Sequence, residues 1–324
     1  MPRRSRRSRR AGRARRSRRS RRSRRGPLLA AVLGCVVVVG AAAAGAALVK
    51  ARAHFAGPET VSSSARRTAA ADGRTSVDAV TEPATDRTAL LATAMRSVAV
   101  ADGAAVSVAV LDLASGEGAG YGDGLFDTAS IVKADILAAL LLQAQDAGRS
   151  LTARERACAT AMIEESDNDS ASALWRAIGG ADGLDAANRR FGLTGTSGGQ
   201  GTLWGLTRTT AADQLVLLKQ VFGEDSKLTE GSRTYLQGLM ERIAEDQDWG
   251  VSAAADGSAW ALKNGWLPRS TTGLWVVNSI GRVTAGGDDY LVAALSNGNA
   301  TKEKGVALVE AAARAAVSVF GDGT

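Results

Sequence analysis

The sequence predicts an α+β fold in which one antiparallel sheet is built from strands near both ends of a domain, with flanking helices and an inserted all-helical lobe. Three observations predict it. Strand-like alternation occurs early, at Val106, Val108 and Val110, and again late, between Trp260 and Ser296. The segment between these regions carries helix-start signals and helical spacing. A final Ala/Val-rich run from Thr301 to Val319 follows the late strands. Strands at both ends of a helical interior close most simply into one sheet. One transmembrane helix is expected to precede the domain.

The chain divides by composition. Its 324 residues carry 40 Lys+Arg against 33 Asp+Glu, but fifteen arginines lie in residues 1–25, where there is no acid. The remaining 299 residues hold 25 basic against 33 acidic side chains, a formal charge of −8. The basic character therefore belongs to an Arg/Ser-rich tail. Residues 26–50 contain an uncharged apolar run, Pro27 to Val49, long enough to cross a bilayer core of about 30 Å. Arginines Arg24 and Arg25 before it and the sparser Lys50 and Arg52 after it place the N-terminus in the cytoplasm and the domain outside. Ser23-Arg24-Arg25 resembles a twin-arginine export signal and Ala51-Arg52-Ala53 a cleavage site, so secretion after cleavage near Ala53 stands as the alternative. Val32-Leu33-Gly34-Cys35 is only a faint lipobox. The Arg/Ser repeats would attract any polyanion, but a topology determinant against the inner leaflet accounts for them, and no nucleic-acid partner is expected. Residues 51–87, rich in Ala, Thr, Ser and Arg, read as a flexible linker. Residues 88–324 form the folded domain.

Within it, Leu90 to Val98 suits a helix. Val106 to Asp112 reads as a strand, and Ser115-Gly116 turns it into a second, making a hairpin. Ala134 to Leu142 is apolar on nearly every face and ends before Gly148, the pattern of a helix buried all round. Thr152-x-x-Glu155 is a capping box opening a helix through Glu165. Helices are predicted over Ser170 to Ile178, Thr210 to Val221 and Thr229 to Glu245. Strands follow at Trp260 to Trp266, Leu274 to Ile280 and Tyr290 to Ser296, closed by the helix Thr301 to Val319.

Two counts remove classes of chemistry. The single histidine, His54, lies in the linker, which excludes a Ser-His-Asp or Cys-His site and histidine-ligated zinc in the domain. Cys35 falls in the apolar run and Cys158 is alone in the domain, one turn from Met162 on an apolar face, so it is expected as a core thiol without a disulfide. No metal site and no cofactor are expected.

The remaining chemistry centres on Ser130-Ile131-Val132-Lys133 at the start of the buried helix. Three residues along a helix is just under one turn, so Lys133 and Ser130 share a face and the amine can lie beside the hydroxyl. Burial disfavours the ammonium and can turn Lys133 into a proton acceptor without histidine. The helix N-terminus adds N–H groups where negative charge would develop. Alone, S-x-x-K is weak, because an N-cap serine followed by a surface lysine matches it equally well. Ser166-Asp167-Asn168 and Lys263-Asn264-Gly265 change that balance. In order, S-x-x-K, S-D-N and K-x-G resemble the motif set of the class A β-lactamase and penicillin-binding protein superfamily over about Thr88 to Val319.

The resemblance implies roles. Ser130 would attack a carbonyl and become acylated, and Lys133 would take its proton. Ser166 would pass a proton to the leaving nitrogen, and Lys263 would keep that region positive and bind a substrate carboxylate. Asn168 would hold Lys133 and bond the substrate amide. Asn264, Gly265 and Trp266 would belong to the substrate-binding strand, with the Ser130 and Trp266 N–H groups forming an oxyanion hole. Asp167 reads as a loop cap.

The chain departs from the family pattern in three places. Asn264 stands where Thr or Ser is usual, and the interval from Ser130 to Ser166 is short, which implies an open cleft. Residues 186–212 contain no Asp or Glu, so the loop that would supply a deacylating glutamate has none. Asn188, Thr194, Thr196, Ser197 and Gln200 are its polar candidates, and none is a good base at neutral pH. Glu164 and Glu165 should point away. Trp204, Trp249, Trp260, Trp266 and Trp275 fall in the same half of the chain and could line a groove for glycan or peptide; Trp260 and Trp275 read instead as packing, and Trp266 as the best cleft residue. The expected protein is a membrane-tethered extracytoplasmic serine hydrolase, acylated at Ser130 by a β-lactam or peptidoglycan-like peptide and slow to deacylate. The alternative is a catalytically silent relative that binds cell-wall peptide or a partner.

Overall fold

The computed structural model describes residues 85–257 and 259–321. The tail, the apolar run predicted to span a membrane and nearly all of the linker lie outside the described residues; among those described, no helix is long and apolar enough to cross a bilayer.

Helix α1 (Arg87–Ala94), capped by Asp86, runs through a short 3-10 turn into β1 (Ala105–Asp112) and β2 (Gly118–Tyr121). A two-residue strand, β3 (Phe126–Asp127), leads to a 3-10 turn, Ala129–Ile131, and directly into α2 (Val132–Asp146). The lobe follows as α3 (Ala153–Glu164), α4 (Asn168–Ile178) and α5 (Gly180–Phe191). Next come β4 (Arg208–Thr209), α6 (Ala211–Phe222) and α7 (Glu230–Met240). Strands β5 (Trp260–Pro268), β6 (Trp275–Ala285) and β7 (Asp288–Asn299) and helix α8 (Lys302–Ser318) complete the chain.

The main sheet has the order β2-β1-β7-β6-β5, antiparallel throughout, so it is built from both ends of the domain as the alternation predicts. Register explains its strength. Val106, Val108 and Val110 are buried on one face, packed with Val277, Val292 and Val309, while Ala109, Ile280 and Leu291 join the helical side. One apolar cluster thus lies between the sheet and α1 and α8, and the other between the sheet, α2 and the lobe. Helix α2 is the axis of the second cluster, with twelve of its fifteen residues buried. Such a helix has no solvated face to spend, which is why its sequence shows no amphipathic stripe.

Local signals place the lobe. The Thr152 hydroxyl accepts from the Glu155 N–H while the Glu155 carboxylate accepts from the Thr152 N–H, closing the predicted capping box. Cys158 is half-buried and packs against the core. Several features differ from the sequence expectations; strand β6, for one, runs to Ala285 rather than Ile280. Helix α7 ends at Met240, five residues early. Helix α5 was not expected, because Gly179, Gly180 and Gly183 interrupt its start. A methyl group at Gly183 would lie 1.7 Å from the Ile178 carbonyl oxygen, so glycine is required for the close approach of α4 and α5. Leu184, Ala187, Asn188 and Phe191 then form the buried stripe.

Asp135 lies two residues past Lys133, on the opposite side of α2, and is 1% exposed. Its Oδ2 accepts from Asn188 Nδ2 at 3.1 Å, while its Oδ1 and Asn188 Oδ1 have no partner. Burial pushes the carboxyl up to about 7; the Asn188 bond opposes this, and the nearby charges of Asp185 and Asp213 reinforce it. A folded-state value above the unfolded one means a contribution to stability that is complete below about pH 4 and lost as pH rises through 7. Asp135→Asn should therefore melt above the parent at pH 8 and gain less at pH 5. Equal shifts in Tm at both pH values would contradict the assignment.

Candidate active site

The turn that carries Ser130 is held from three directions. The Thr128 N–H donates to the Thr207 carbonyl at 2.8 Å. Asn278, buried in β6, donates through Nδ2 to the Asp127 and Thr128 carbonyls at 2.9 and 3.0 Å, while its Oδ1 accepts from the Ser296 N–H. From β5, Gly265 approaches so closely that a Cβ there would lie 2.6 Å from the Ser130 nitrogen and 2.7 Å from that of Ile131. Ala129 sits at φ 48°, a conformation that L-residues hold only at a cost. Ser130 itself is half-buried and makes no helix-capping bond, so it is not an N-cap serine.

Lys133, one turn on, is fully buried. Its Nζ donates to the Ser166 carbonyl at 2.6 Å, lies 3.1 Å from Ser166 Oγ, and donates to Asn168 Oδ1 at 2.8 Å. None of these bonds goes to Ser130, so the amine is drawn further toward the S-D-N turn than helical spacing alone suggests. That turn is shaped for it. Ser166 sits at φ 56°, which turns both its carbonyl and its hydroxyl onto the lysine, and Asp167 caps α4 by accepting from the Ser170 N–H at 2.7 Å. Glu164 pairs instead with Arg242.

Lys263 reaches the same hydroxyl from β5. Its Nζ lies 3.1 Å from Ser166 Oγ and 3.1 Å from the Asn264 carbonyl, and it too is fully buried. One hydroxyl therefore bridges two buried amines. Burial pushes Lys133 down to about 8, against the pull of Asp167. Burial and then the charge of Lys133 push Lys263 down to about 7. Neutral amine is thus available near pH 7, and an amine with a free lone pair can accept the hydroxyl proton of Ser166 or of a serine beside it.

The period of two along β5 separates the rest of the third motif. Lys263 and Gly265 face the Ser130 turn. Asn264 faces the other way, is 1% exposed, and donates through Nδ2 to the Gln247 and Trp249 carbonyls at 2.7 and 2.8 Å, so the structure does not bring its side chain into the cleft. Trp266 contributes to the cleft wall, while its ring meets Trp249 edge-on at 5.8 Å and carries Lys302 Nζ 4.0 Å from its centre.

A family model described as the beta-lactamase enzyme family matches residues 142–320, more than half of the chain. The chain belongs to that family. The match starts within α2, downstream of Ser130 and Lys133, so those two positions rest on the motif and the geometry above. Among solved structures, PBP-A is similar with a TM-score of 0.62 at 22% identity, over 72% of this chain and 96% of that one. An ancestral class A β-lactamase is similar with a TM-score of 0.58 at 22% identity, over 72% and 100%. At these identities the likeness is one of fold. A putative lipoprotein, LppW, of Mycobacterium tuberculosis is 33% identical over 116 residues, 36% of this chain and 37% of that protein. The match to these curated relatives thus spans little more than a third of their length.

In this member of the beta-lactamase enzyme family, a cleft of about 670 Å³ opens over Ser130. One wall is the loop between α5 and α6, where Trp204 lies with Lys133 Nζ 5.0 Å from its ring and donates through Nε1 to Ser172 Oγ at 3.1 Å. The loop is pinned from outside the cleft. Asp185 accepts from the Gly198 N–H, and Asp213 accepts from the Gly195 N–H and the Thr196 hydroxyl. No Asp or Glu is among the described residues that line the cleft.

Asn278 escaped the site residues expected from sequence, and Trp204 was expected only as one of five tryptophans that could line a groove. Asn278 had a signal, an amide in an apolar strand. The place of Trp204 in the cleft wall had no periodic signal, since it depends on an irregular loop.

Proposed function

We propose that this chain is a serine acyl-transfer enzyme, acylated at Ser130 by a β-lactam or a peptidoglycan-like amide and slow to release the acyl group. The observation that supports this best is the Ser166 hydroxyl, 3.1 Å from each of two buried amines, one of which, Lys133, stands one helical turn past the half-buried Ser130. A binding module has no physical need for two desolvated lysines around one hydroxyl.

In the proposed reaction, Ser130 Oγ forms a bond to the substrate carbonyl carbon as its proton passes to neutral Lys133. The charge developing on the carbonyl oxygen is met by the N–H groups of Ser130 and Trp266. As the C–N bond breaks, Ser166 gives its proton to the leaving nitrogen and recovers one from the lysine pair. Asn168 holds Lys133 and can bond the amide of the substrate. Strand β5 is the edge of the sheet, and such an edge has unpaired backbone groups that can receive an extended amide. No metal or cofactor enters any step.

Release requires a water activated by a base, and the described residues that line the cleft supply no carboxylate for it. We further infer that residues 26–50 tether the domain outside the membrane, joined by the 51–87 linker. The extracytoplasmic setting fits the lipoprotein character of the partial relative.

Intact-mass measurement on the full chain mixed with benzylpenicillin tests the reading. An adduct that persists for many minutes, mapped to the peptide containing Ser130, is expected. Adduct on another residue would overturn the nucleophile, and loss of adduct within seconds would overturn slow release.

A further inference from the structure

The hydrogen bonds of Lys133 run to Ser166 and Asn168. Lys263 comes from β5 to the same Ser166 hydroxyl, Asp167 at the cap of α4 adds a negative charge that acts on Lys133, and Asp135 lies across α2. The loop between α5 and α6 presents a different kind of group. The centre of the Trp204 ring is 5.0 Å from Lys133 Nζ, within the range of a cation–π contact. Trp204 lines the cleft beside Ser130 and Asn168, while Lys133 is fully buried, so the indole is part of the partition between the amine and solvent.

The ring is held in that place. Its Nε1 donates to Ser172 Oγ at 3.1 Å, the Ser172 hydroxyl donates to the Asn168 carbonyl at 2.9 Å, and Asn168 Oδ1 accepts from Lys133 at 2.8 Å, which closes a circuit of four residues around the amine. The turn Trp204–Leu206 is fixed at both ends, where the Leu203 N–H donates to the Gln200 carbonyl and the Thr207 N–H to the Trp204 carbonyl, each at 3.0 Å. A methyl at Gly205 would stand 3.8 Å from Ala129 Cα, so this turn packs beside the one that carries Ser130. An aromatic face attracts an ammonium and does little for a neutral amine, and the attraction is strongest where water is excluded.

We propose that Trp204 is a positioning residue that acts through Lys133: its indole face stabilises the ammonium form and shuts water away from the amine, so that Lys133 serves acylation and is withheld from hydrolysis of the acyl-enzyme. This rests on the acyl-transfer reading above. In the step so withheld, a water would give a proton to Nζ as its oxygen bonds to the acyl carbon, and the bond from that carbon to Ser130 Oγ would break with Oγ recovering the proton. The ring is a cause of slow release separate from the lack of a carboxylate on the cleft wall.

The experiment follows the maximal rate of acylation at saturating benzylpenicillin from about pH 6 to 9, which reads the chemical step apart from binding, and the lifetime of the adduct by intact mass. It uses the full-length chain, Trp204→Leu and Trp204→Phe. Leucine should move the midpoint of the acylation profile down by about 0.5 to 1 pH unit and speed release about 3- to 10-fold, the matching gain in neutral amine. Phenylalanine, which keeps a ring and loses only the Nε1 bond, should recover at least part of both changes. Trp204→Met takes the place of leucine, with the same expectations, if the leucine variant does not fold. A midpoint unmoved in the ringless variant, a loss of rate by one factor at every pH, an unchanged adduct lifetime, or a phenylalanine variant displaced as far as leucine overturns the inference while leaving acylation at Ser130 intact. Absence of an adduct on the unmutated chain overturns the acyl-transfer reading, and the inference with it.

Discussion

Lys133→Met is expected to slow acylation by benzylpenicillin about 10³-fold, the middle of the range for a positioned general base. The side chain is fully buried, so the substitution keeps its volume while removing the group that takes the Ser130 proton. A merely structural role would predict a loss that is uniform in pH. The proposed role predicts something else. In the parent, the rate should climb as pH rises from 6 through the region of about 7 to 8, where the two amines lose their protons. In the variant, that limb should vanish. Acylation of Lys133→Met at the parent rate, or a flat parent profile between pH 6 and 9, would remove Lys133 from the mechanism. Stability is expected to move differently, because burial holds both lysines below their unfolded value and their ammonium forms work against the fold. That penalty is present at pH 6 and relieved as pH rises above 7 to 8, so methionine should raise Tm more at pH 6 than at pH 9.

Gly265→Ala should cost about 10²- to 10³-fold in acylation, comparable to losing an oxyanion donor. The added methyl would meet the Ser130 nitrogen at 2.6 Å, the Ile131 nitrogen at 2.7 Å and the Thr128 oxygen at 2.8 Å. All three are backbone atoms, so no rotamer change relieves the clash. Either β5 or the nucleophile turn must shift, and both carry proposed oxyanion donors. Overpacking of this kind costs about 1–3 kcal/mol of stability, which a melting curve detects without loss of the fold. Gly231→Ala, where a methyl meets nothing within 4 Å, is the control. Retention of full activity in Gly265→Ala would show that β5 and the turn move independently.

How much of this was legible depends on what kind of interaction fixes each part. The capping box at Thr152 and Glu155, the all-apolar α2 and the valine alternation of β1 are short-range signals, and each element stands where they put it. Helix α5 was obscured because its glycines serve contact with α4, a tertiary demand that overrides local propensity. The sides taken by Asn264 and Trp266 were readable in principle, since residues two apart on a strand share a face; the motif resemblance drew them into the cleft, and alternation separates the Asn264 side chain from it. The Lys133 bonds to Ser166 and Asn168 depend on a left-handed residue at 166, which no periodicity announces.

The pairing of β1 with β7 joins Ala105 to Asn297, and β7 is also the strand that links β1 to β6. Until the last strand emerges, the sheet remains two unjoined halves with open edges. A protein of such high contact order completes its fold late, after long loops have closed. Fragments that end before β7 would carry Ser130, Lys133, Ser166 and Lys263 without the framework that brings them together. Competence for the proposed reaction would thus arrive in a single step at the end of chain synthesis, and chains that stop before it would leave strand edges open to edge-to-edge association.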